Sequence, residues 1–590
     1  MAAAGAYKLI VGVDFGTTYT GVSFVLSTRA PKDVYVIRSW SGASRPSDNA
    51  WKTPSRIAYA EENPNHDKDQ IGFDVTPGMT SYSWFKLLLD RAAERRFDDP
   101  DLRDIEGPGM LRLPRNKTAQ QVCADFLRGI YQKTFEELNT RMLASVVNAM
   151  PIDFSFTVPA IWSDKAKADT IASARAAGFG SRPGDTITLI TEPEAAAISV
   201  MKYLADDGND QLQKGDSILI VDCGGGTIDL TGYDIERVVP ELEFSELLVG
   251  EGGKCGSTHI DRRFHQWMSD TFGAAFDSVP FPKKGPGSKF MREFESIKVN
   301  FGSETVDQTY EIPLLLRGVQ SCPNYDMEET MVKFSKRDLQ EFFEPVVQNV
   351  IGLIEQQVAQ ANIEKGKSIN KIILVGGFGD SRYLLDAVRE WGRLNGNFEI
   401  ICPVYPQAAI VIGASIRGLG GPGSQPRSRK CRRHYGFQLD LPYDEINDDK
   451  RHMYHNEYDR KRYTRGTMVW KIPMGCEIDE NTLIKQHIKK PWFKGESLQF
   501  TLGLYSSSLD PPPKREEHPR VHKVGTIKVD LTDKDLKRFK RKWKVTQDRW
   551  VWQLEYEIQI LFGQREGTLC FRAKCGDNFI GSTQIEYARE

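Results

Sequence analysis

The sequence lacks the marks of several large protein classes. No run of about 18 uncharged apolar residues occurs, so no membrane-spanning helix is expected. The nine cysteines, at 123, 223, 255, 322, 402, 431, 476, 570 and 575, contain no C-x-x-C pair, which argues against a zinc site or a disulfide framework. Cys570 and Cys575 are near enough in sequence to bridge, but two reduced thiols beside a hairpin are the expectation in a reducing compartment. An excess of one charge is also missing. The 78 basic and 80 acidic residues leave a net charge of −2, so no nucleic-acid or membrane-surface partner is expected. The opening MAAAGAYKLIVGVDFG has neither the basic segment nor the long apolar core of a secretory signal. A cytoplasmic address, with the nucleus also open to it, is the expectation, and the formal sequon Asn116-Lys117-Thr118 then reads as a chance match. No G-x-x-x-x-G-K-[ST] loop occurs, and the glycine spacing does not fit a Rossmann fingerprint.

What is present is an internal duplication. The 590 residues suggest about three to four units at roughly 150 residues each. With 40% hydrophobic and 27% charged residues, the composition is that of an ordinary globular chain. Two segments share one grammar: LIVGVDFGTTYTGVSFVL (9–26) and ILIVDCGGGTIDLTGYDI (218–235). Each reads as a β-hairpin with an Asp just before a Gly-rich turn. Some 200 residues separate the copies, which indicates a duplicated domain and not a short-period solenoid. Helical patterns run over 118–145, over 163–178 between a Ser/Asp cap and Gly178, and over 335–362. A strand, Gly turn and helix follow at 371–385, then a strand near 397–402 and a closing helix over 406–418.

The two hairpin turns suit triphosphate chemistry. Phosphate oxygens need backbone N–H groups at close range, and glycine permits that approach. Mg²⁺ keeps several waters and needs only one or two carboxylates. Asp14-Phe15-Gly16-Thr17-Thr18 and Asp222-Cys223-Gly224-Gly225-Gly226-Thr227 each offer an Asp, glycine and hydroxyls within one turn. Turn-capping aspartates alone would not account for the same Gly and Thr neighbours twice.

VGVDFGTTYTGVSF, LITEPEAAAI, VDCGGGTIDL and ILVGGFGDSRYL resemble, in order and spacing, the phosphate 1, connect, phosphate 2 and adenosine motifs of the 70-kDa heat-shock chaperone family. VPAIWSDKAKADTIASARAAGF (158–179) resembles the segment before the connect motif. GGFGDSRYL, GGKCGSTHIDRRF (252–264) and KCRRHYG look most like the family's atypical branch, which keeps the ATPase domain and has a divergent C-terminus. The resemblance covers about residues 7–420 and implies an α/β, duplicated, actin-like or ribonuclease-H-like two-lobed ATPase domain. Lobe I would span about 7–205, lobe II about 215–400, with the closing helix at 406–418.

The resemblance also implies residue roles. Asp14 and Asp222 match the carboxylates that hold Mg²⁺ through its waters. Gly16, Thr17, Thr18 and Tyr19 match the first phosphate turn, and Gly224, Gly225, Gly226 and Thr227 the second. Glu192 matches the connect glutamate near the metal and attacking water. Lys86, in SWFKLLL, matches the catalytic lysine; a solvated helix lysine is the plainer reading. Gly252 and Gly253, with Gly376 and Gly377, complete the nucleotide contacts, the latter two beside the adenosine. Glu295 and Lys298 match the adenosine-side helix, against the plainer reading of a surface pair. Val299 departs from the family, standing where an Arg stacks on adenine. Gln407 replaces an Asp of the ribose-side turn, and the Gly376-Gly377 loop is longer than usual. These departures bear on affinity and base selectivity and leave the phosphate and metal residues in place.

Residues 421–434 are Gly/Pro/Ser-rich and then basic, and read as a linker. Beyond them the pattern alternates, as in Trp552, Leu554, Tyr556, Ile558 and Ile560, so 435–590 is expected to be a smaller β-rich domain. DKDLKRFKRKWK (533–544) reads as a short basic helix or loop within it. The basic runs at 427–433 and 534–544 read as solvated charge before an acidic-partner site. No lid-sized helical region follows the strands. The expected activity is slow hydrolysis of ATP to ADP and phosphate, with Mg²⁺, in a nucleotide-driven chaperone-like switch whose partners are unfolded clients and co-chaperones. A nucleotide-gated interaction module with negligible turnover, and a small-molecule or sugar kinase of the same superfamily, remain the alternatives. An actin-like filament former has less support, since no polymerisation cue occurs.

Overall fold

The computed structural model describes residues 7–42, 50–90, 111–206, 212–303, 308–396, 398–421, 423–456, 459–479, 482–532, 536–544, 549–562, 569–576 and 578–582. The chain divides into two compact units, Met1–Pro426 and Arg427–Glu590.

The first unit repeats one topology twice. In one sheet, Leu9–Phe15 pairs antiparallel with Tyr19–Leu26, which continues to Tyr35–Val36. On its other side Leu9–Phe15 pairs in parallel with Ile152–Val158, and that strand with Thr186–Thr191. The second sheet has the same order: Glu243–Glu246, Ile228–Arg237, Ser217–Cys223, Lys371–Val375, Glu399–Ile401. Even the extra strand recurs, Thr53–Pro54 on the first hairpin and Glu251–Gly253 on the second. Leu9–Phe15 and Ser217–Cys223 are buried at every residue, which is why both read as unbroken apolar runs.

Local chemistry sets the helix ends. Ala119–Arg141 starts at Thr118, whose side chain and that of Gln121 form a reciprocal capping box. The threonine of the sequon is therefore a helix cap. The pattern read over 118–145 breaks at extended Met142, and a short helix, Ala144–Ala149, follows as the chain reverses onto Ile152–Val158. Asp164–Ala177 is capped by Ser163 and stops at Gly178, which holds φ +113°. Lys336–Lys365 runs from Ser335 to Gly366. The helix expected over 406–418 begins as a 3-10 turn, Pro406–Ala408, and continues as Ala409–Leu419.

The helices that close the two repeats exchange places. Glu192–Asp206 follows the last strand of the first repeat, yet Ala195–Ile198, Met201 and Leu204 share a core with Ile218, Ile220, Tyr233, Ile373 and Val375 of the second sheet. Ala409–Leu419 follows the last strand of the second repeat and packs on the first sheet. There Ser415 Oγ accepts from the Gly12 amide at 3.0 Å, and Ser23 Oγ donates to the Val411 carbonyl at 2.6 Å. The two helices also touch each other: a Cβ on Gly413 would fall 1.7 Å from the Ala195 carbonyl oxygen.

In the second unit, one antiparallel sheet has the order Met453–His455, Arg462–Ile472, His434–Pro442, Gln499–Ser507, His522–Asp530. A second runs Leu483–Phe493, Arg549–Phe562, Leu569–Cys575, Asn578–Ser582, with Lys540–Lys544 also on the long strand. Phe437, Leu504, Ile527 and Val529 of the first share one core with Trp492, Trp552, Leu554, Ile558 and Ile560 of the second. Of the basic segment 533–544, residues 533–535 lie outside the described residues; the rest forms a 3-10 turn, Leu536–Arg538, and the strand Lys540–Lys544. Among the described residues of this unit the only helical segments are 3-10 turns. The Cys575 thiol donates to the Glu555 carbonyl at 3.6 Å, and the Cys570 side chain lies outside the described residues.

The Gly413 crossing is testable. Gly413→Ala is expected to cost at least about 1–3 kcal/mol, because the methyl meets a backbone oxygen that cannot turn away. Gly232→Ala, whose methyl would rest 3.6 Å from Leu247, is the control. Calorimetry of the full chain should show the melting temperature lowered by Gly413→Ala and nearly unchanged by Gly232→Ala.

Candidate functional site

Asp14 and Asp222 occupy equivalent places, next to last in the inner strand of each hairpin. Both are buried, at 2% and 3% exposure. Both Asp14 oxygens have a partner: Oδ2 accepts from Lys52 Nζ at 2.5 Å and Oδ1 from Thr157 Oγ1 at 2.9 Å. Asp222 Oδ1 is buried without a hydrogen-bond partner. Gly376, at φ +83°, leaves room beside it, since a Cβ there would come within 2.4 Å of that oxygen. Burial holds the Asp222 carboxyl well above the usual carboxylate range, and the Glu192, Asp229 and Asp14 charges add to it.

Lys86 and Glu192 meet in the same interior. Lys86 Nζ donates to Glu192 Oε1 at 2.7 Å, and Lys86 is 1% exposed, which excludes a solvated helix lysine. It lies in a 3-10 turn, Phe85–Leu89, entered from Trp84 at φ +63°. A left-handed tryptophan is a strained residue held by its surroundings. The ammonium faces the Trp162 ring at 5.0 Å and the Phe15 ring at 5.6 Å. Glu192 is the first residue of its helix. Burial lifts its carboxyl to about 7; Lys86 opposes the shift, and Asp14 and Asp229 reinforce it.

The two turns touch. A Cβ on Gly225 would lie 2.4 Å from the Thr18 side chain, and one on Gly226 2.5 Å from Thr17 Oγ1. Glycine is therefore required for the hairpins to face each other this closely. Thr227 closes the second turn by accepting from the Gly224 amide at 3.0 Å. Three backbone bonds clip the following loop to it: Gly256 to Gly226, Ser257 to Gly224 and Thr258 to Gly225. Gly252 and Gly253 sit in the strand beside this hairpin, and a Cβ on Gly252 would press on the Ile228 carbonyl at 2.5 Å. Gly16 follows Asp14 under equal crowding, 2.2 Å from the Tyr19 carbonyl.

Tyr19 faces the helix Lys289–Asn300. Its phenol is pushed up to about 12 by desolvation and by the Glu295 carboxylate. Lys298 is 7% exposed and holds Asp261 at 2.8 and 2.9 Å and Glu295 at 2.5 Å, so it is not a surface lysine. Burial lifts Asp261 to about 6 despite that partner. Gly377 is exposed with open space above it, and Val299 is 62% exposed. Gln407 Oε1 is buried without a partner. Its turn is tied to the adenosine-like loop through the Gly376 amide, which donates to the Pro406 carbonyl at 3.1 Å.

Several residues of this interior escaped the sequence reading. Lys52 and Thr157 grip Asp14, and Asp229 accepts from the Ile161 amide at 3.1 Å opposite Asp222. Asp229 carried a signal, as an acid within the apolar strand IDLTGY. Lys254, 1% exposed, donates to the Asp90 carbonyl, and Asp90 accepts from Ser163 at 2.7 Å. Lys52 and Lys254 lie in no periodic pattern that would mark them as buried.

Among the described residues no group of three or more His, Cys, Asp or Glu side chains is arranged to hold a metal ion directly. Two carboxylates acting through water need no such group. The orphan oxygens of Asp222 and Gln407, and two glycine turns with room for no side chain, fit a hydrated divalent cation with a polyphosphate.

Comparison with known proteins agrees with the geometry. The family model described as Hsp70 protein matches residues 111–419. The human Heat shock 70 kDa protein 12A is 24% identical over 617 residues, covering 89% of this chain and 85% of that protein. The human Heat shock 70 kDa protein 12B is 24% identical over 491 residues, covering 70% and 69%. The Chaperone protein HscA homolog of Acinetobacter baylyi is 24% identical over 415 residues, covering 70% and 57%.

The buried carboxylates make the ligand-free protein less stable than it could be. Asp222→Asn removes a charge that burial and three acidic neighbours oppose, so it should raise the melting temperature measured in chelator without nucleotide. Glu192 has a folded value near 7, above its ordinary 4.5. The folded state therefore holds the extra proton between those values, and stability falls as pH rises through that window. Glu192→Gln should flatten this part of the stability–pH curve. An unchanged slope, or a lowered melting temperature in Asp222→Asn, would contradict the assignment.

Proposed function

This chain belongs to the Hsp70 protein family, and from that membership we propose that it binds ATP with Mg²⁺ between the two hairpin turns and hydrolyses it slowly. The observation that carries the reading is the buried Asp222 carboxylate, with one oxygen unpartnered, where two glycine-built turns from duplicated lobes meet.

The chemistry follows from what these side chains can do. Phosphoryl transfer to water needs positioning and charge stabilisation more than covalent help. Asp14 and Asp222 would hold the cation through its waters, and Gly224, Gly225, Gly226, Thr17 and Thr18 would offer donors to phosphate oxygens. Mg²⁺, when bound, neutralises charge on the phosphates. Lys86 brings an ammonium into a dry interior, where its field is poorly screened. Glu192, lifted to about 7, is poised near neutrality to orient the attacking water and take its proton. Tyr19, Glu295, Lys298, Gly252, Gly253, Gly376 and Gly377 line the remainder of the nucleotide path in this reading.

The same geometry supports a switch. Thr17 and Thr18 of one lobe touch Gly225 and Gly226 of the other, so a phosphate gripped by both turns must alter how the lobes meet. Relatives named as heat shock 70 kDa proteins and as a chaperone support a chaperone-like use of that switch, with unfolded polypeptides and co-chaperones as partners.

Turnover by the full chain, with and without unfolded peptides, is the test. ATP hydrolysis stimulated by peptide, and reduced about a hundredfold or more by Lys86→Ala or Asp222→Asn, is the expected result. Tight ATP binding with phosphate release no higher than in Lys86→Ala would make the protein a nucleotide-gated interaction module. Transfer of phosphate to a metabolite in place of water would make it a kinase.

A further inference from the structure

We propose that Cys431 and Cys476 form a peroxide-reactive disulfide site at the start of the C-terminal unit. The argument begins with register. Arg429–Lys430 pairs antiparallel with Glu477–Ile478, Arg429 opposite Ile478 and Lys430 opposite Glu477. One step further along the ladder sets Cys431 opposite Cys476. The backbone there forms a β-bulge: the Cys431 amide donates to the Cys476 carbonyl at 2.9 Å, while Gly475, not Cys476, donates to the Cys431 carbonyl at 2.7 Å, so Gly475 and Cys476 together face Cys431.

Cys476 is fixed from both sides. The strand Glu477–Ile478 follows it, and before it lies a four-residue turn in which the Cys476 amide donates to the Pro473 carbonyl at 3.3 Å. Gly475 takes the third position of that turn at φ +78°, as a type II turn requires. The Cys431 thiol donates to the Arg433 carbonyl at 3.2 Å, and it also lies within hydrogen-bonding reach of the Cys476 sulfur. The hydrogen bond with Cys431, with the Lys430 ammonium as a smaller cause, brings the Cys476 thiol down to about 7, although Glu477 holds Lys430 at 3.1 Å and offsets part of its charge. Cys431 is 2% exposed and Cys476 half-buried, so a small oxidant reaches Cys476 first.

The chemistry balances with hydrogen peroxide as oxidant. The Cys476 thiolate attacks one peroxide oxygen; an S–O bond forms, the O–O bond breaks, and the departing hydroxide takes up the thiol's proton as water. The Cys431 sulfur then attacks the sulfenic sulfur; the S–S bond forms, the S–O bond breaks, and a second water leaves. Two thiols are oxidised to a disulfide and one peroxide is reduced to two waters. The bond ties the first strand after Pro426 to the strand that follows Gly475. Among the described residues, Cys123 is fully buried with its thiol pushed up, Cys223 is fully buried with its thiol pushed up by burial, Asp222 and the neighbouring Cys255 and Cys402, and Cys322 is exposed.

The full-length wild-type protein is treated with a few equivalents of hydrogen peroxide, alkylated and digested without reductant. Mass spectrometry should find a Cys431–Cys476 cross-linked peptide that dithiothreitol abolishes. At pH 7, Cys476 should be alkylated several-fold faster than Cys322. In Cys431→Ser the expected product is a Cys476 sulfenic acid trapped by dimedone; in Cys476→Ser, Cys431 should stay reduced. The oxidised wild type should melt several degrees higher in the C-terminal transition. Absence of the 431–476 peptide, a Cys570–Cys575 link in its place, or oxidation of Cys476 no faster than of Cys322 would overturn the proposal. The decisive measurement is made on the wild type, so a variant that misfolds does not rescue it.

Discussion

The first unit depends on one close contact, the crossing of Ala409–Leu419 over Glu192–Asp206 at Gly413. Each helix closes one repeat and rests on the sheet of the other. The two sheets share a large core directly, and the exchanged helices add a second core between them. With that exchange, the hairpin turns are held opposite each other. A 1.7 Å approach to a backbone oxygen leaves no space for any side chain at the crossing. The crossing also reaches the chemistry directly, because Glu192, the residue paired with Lys86, is the first residue of one crossing helix. A change in how the helices cross therefore moves a carboxylate in the site, which is the mechanical link a nucleotide-driven switch needs.

The site itself is built against stability. Asp14, Glu192, Asp222 and Asp229 act on one another electrostatically in a dry interior, with Lys52 paired to Asp14 and Lys86 to Glu192. Two of these carboxyls are lifted above their ordinary range, and one oxygen has no partner. Such an arrangement is costly in the empty protein and is relieved by a cation with its waters. The strained Trp84 that aims Lys86 inward belongs to the same pattern.

Much of this was legible because the phosphate chemistry is written in contiguous sequence. Asp, glycine and threonine fall within six residues of one another, and both hairpins read as apolar runs because both strands are buried on two faces. What stayed hidden depends on tertiary contact. Lys52 looked like any polar residue before a turn, yet it touches Asp14. Lys86 and Lys298 admitted surface readings until burial at 1% and 7% removed them. The exchange of closing helices could not be read either: the apolar face of PQAAIVIGASIRG announces a buried helix without saying which sheet it covers. Thr118, where the helical pattern was read to begin, is the cap of that helix.

The two ends of the proposed nucleotide path differ in kind, and the difference bears on selectivity. The phosphate end is made of backbone and buried charge, which a single substitution can hardly change without cost to the fold. At the base end, Val299 is exposed where the family resemblance places a stacking arginine, Gly377 offers open space, and Gln407 carries an amide oxygen with nothing to bind. A neutral amide beside a ribose both donates and accepts, so it gives up the charge-assisted bonds that a carboxylate makes to hydroxyls. Lys298 does not compensate, since it already holds two carboxylates. Affinity in such a site rests on the phosphates and their cation. On this reading, discrimination among bases should be weak, while discrimination between two and three phosphates should be retained.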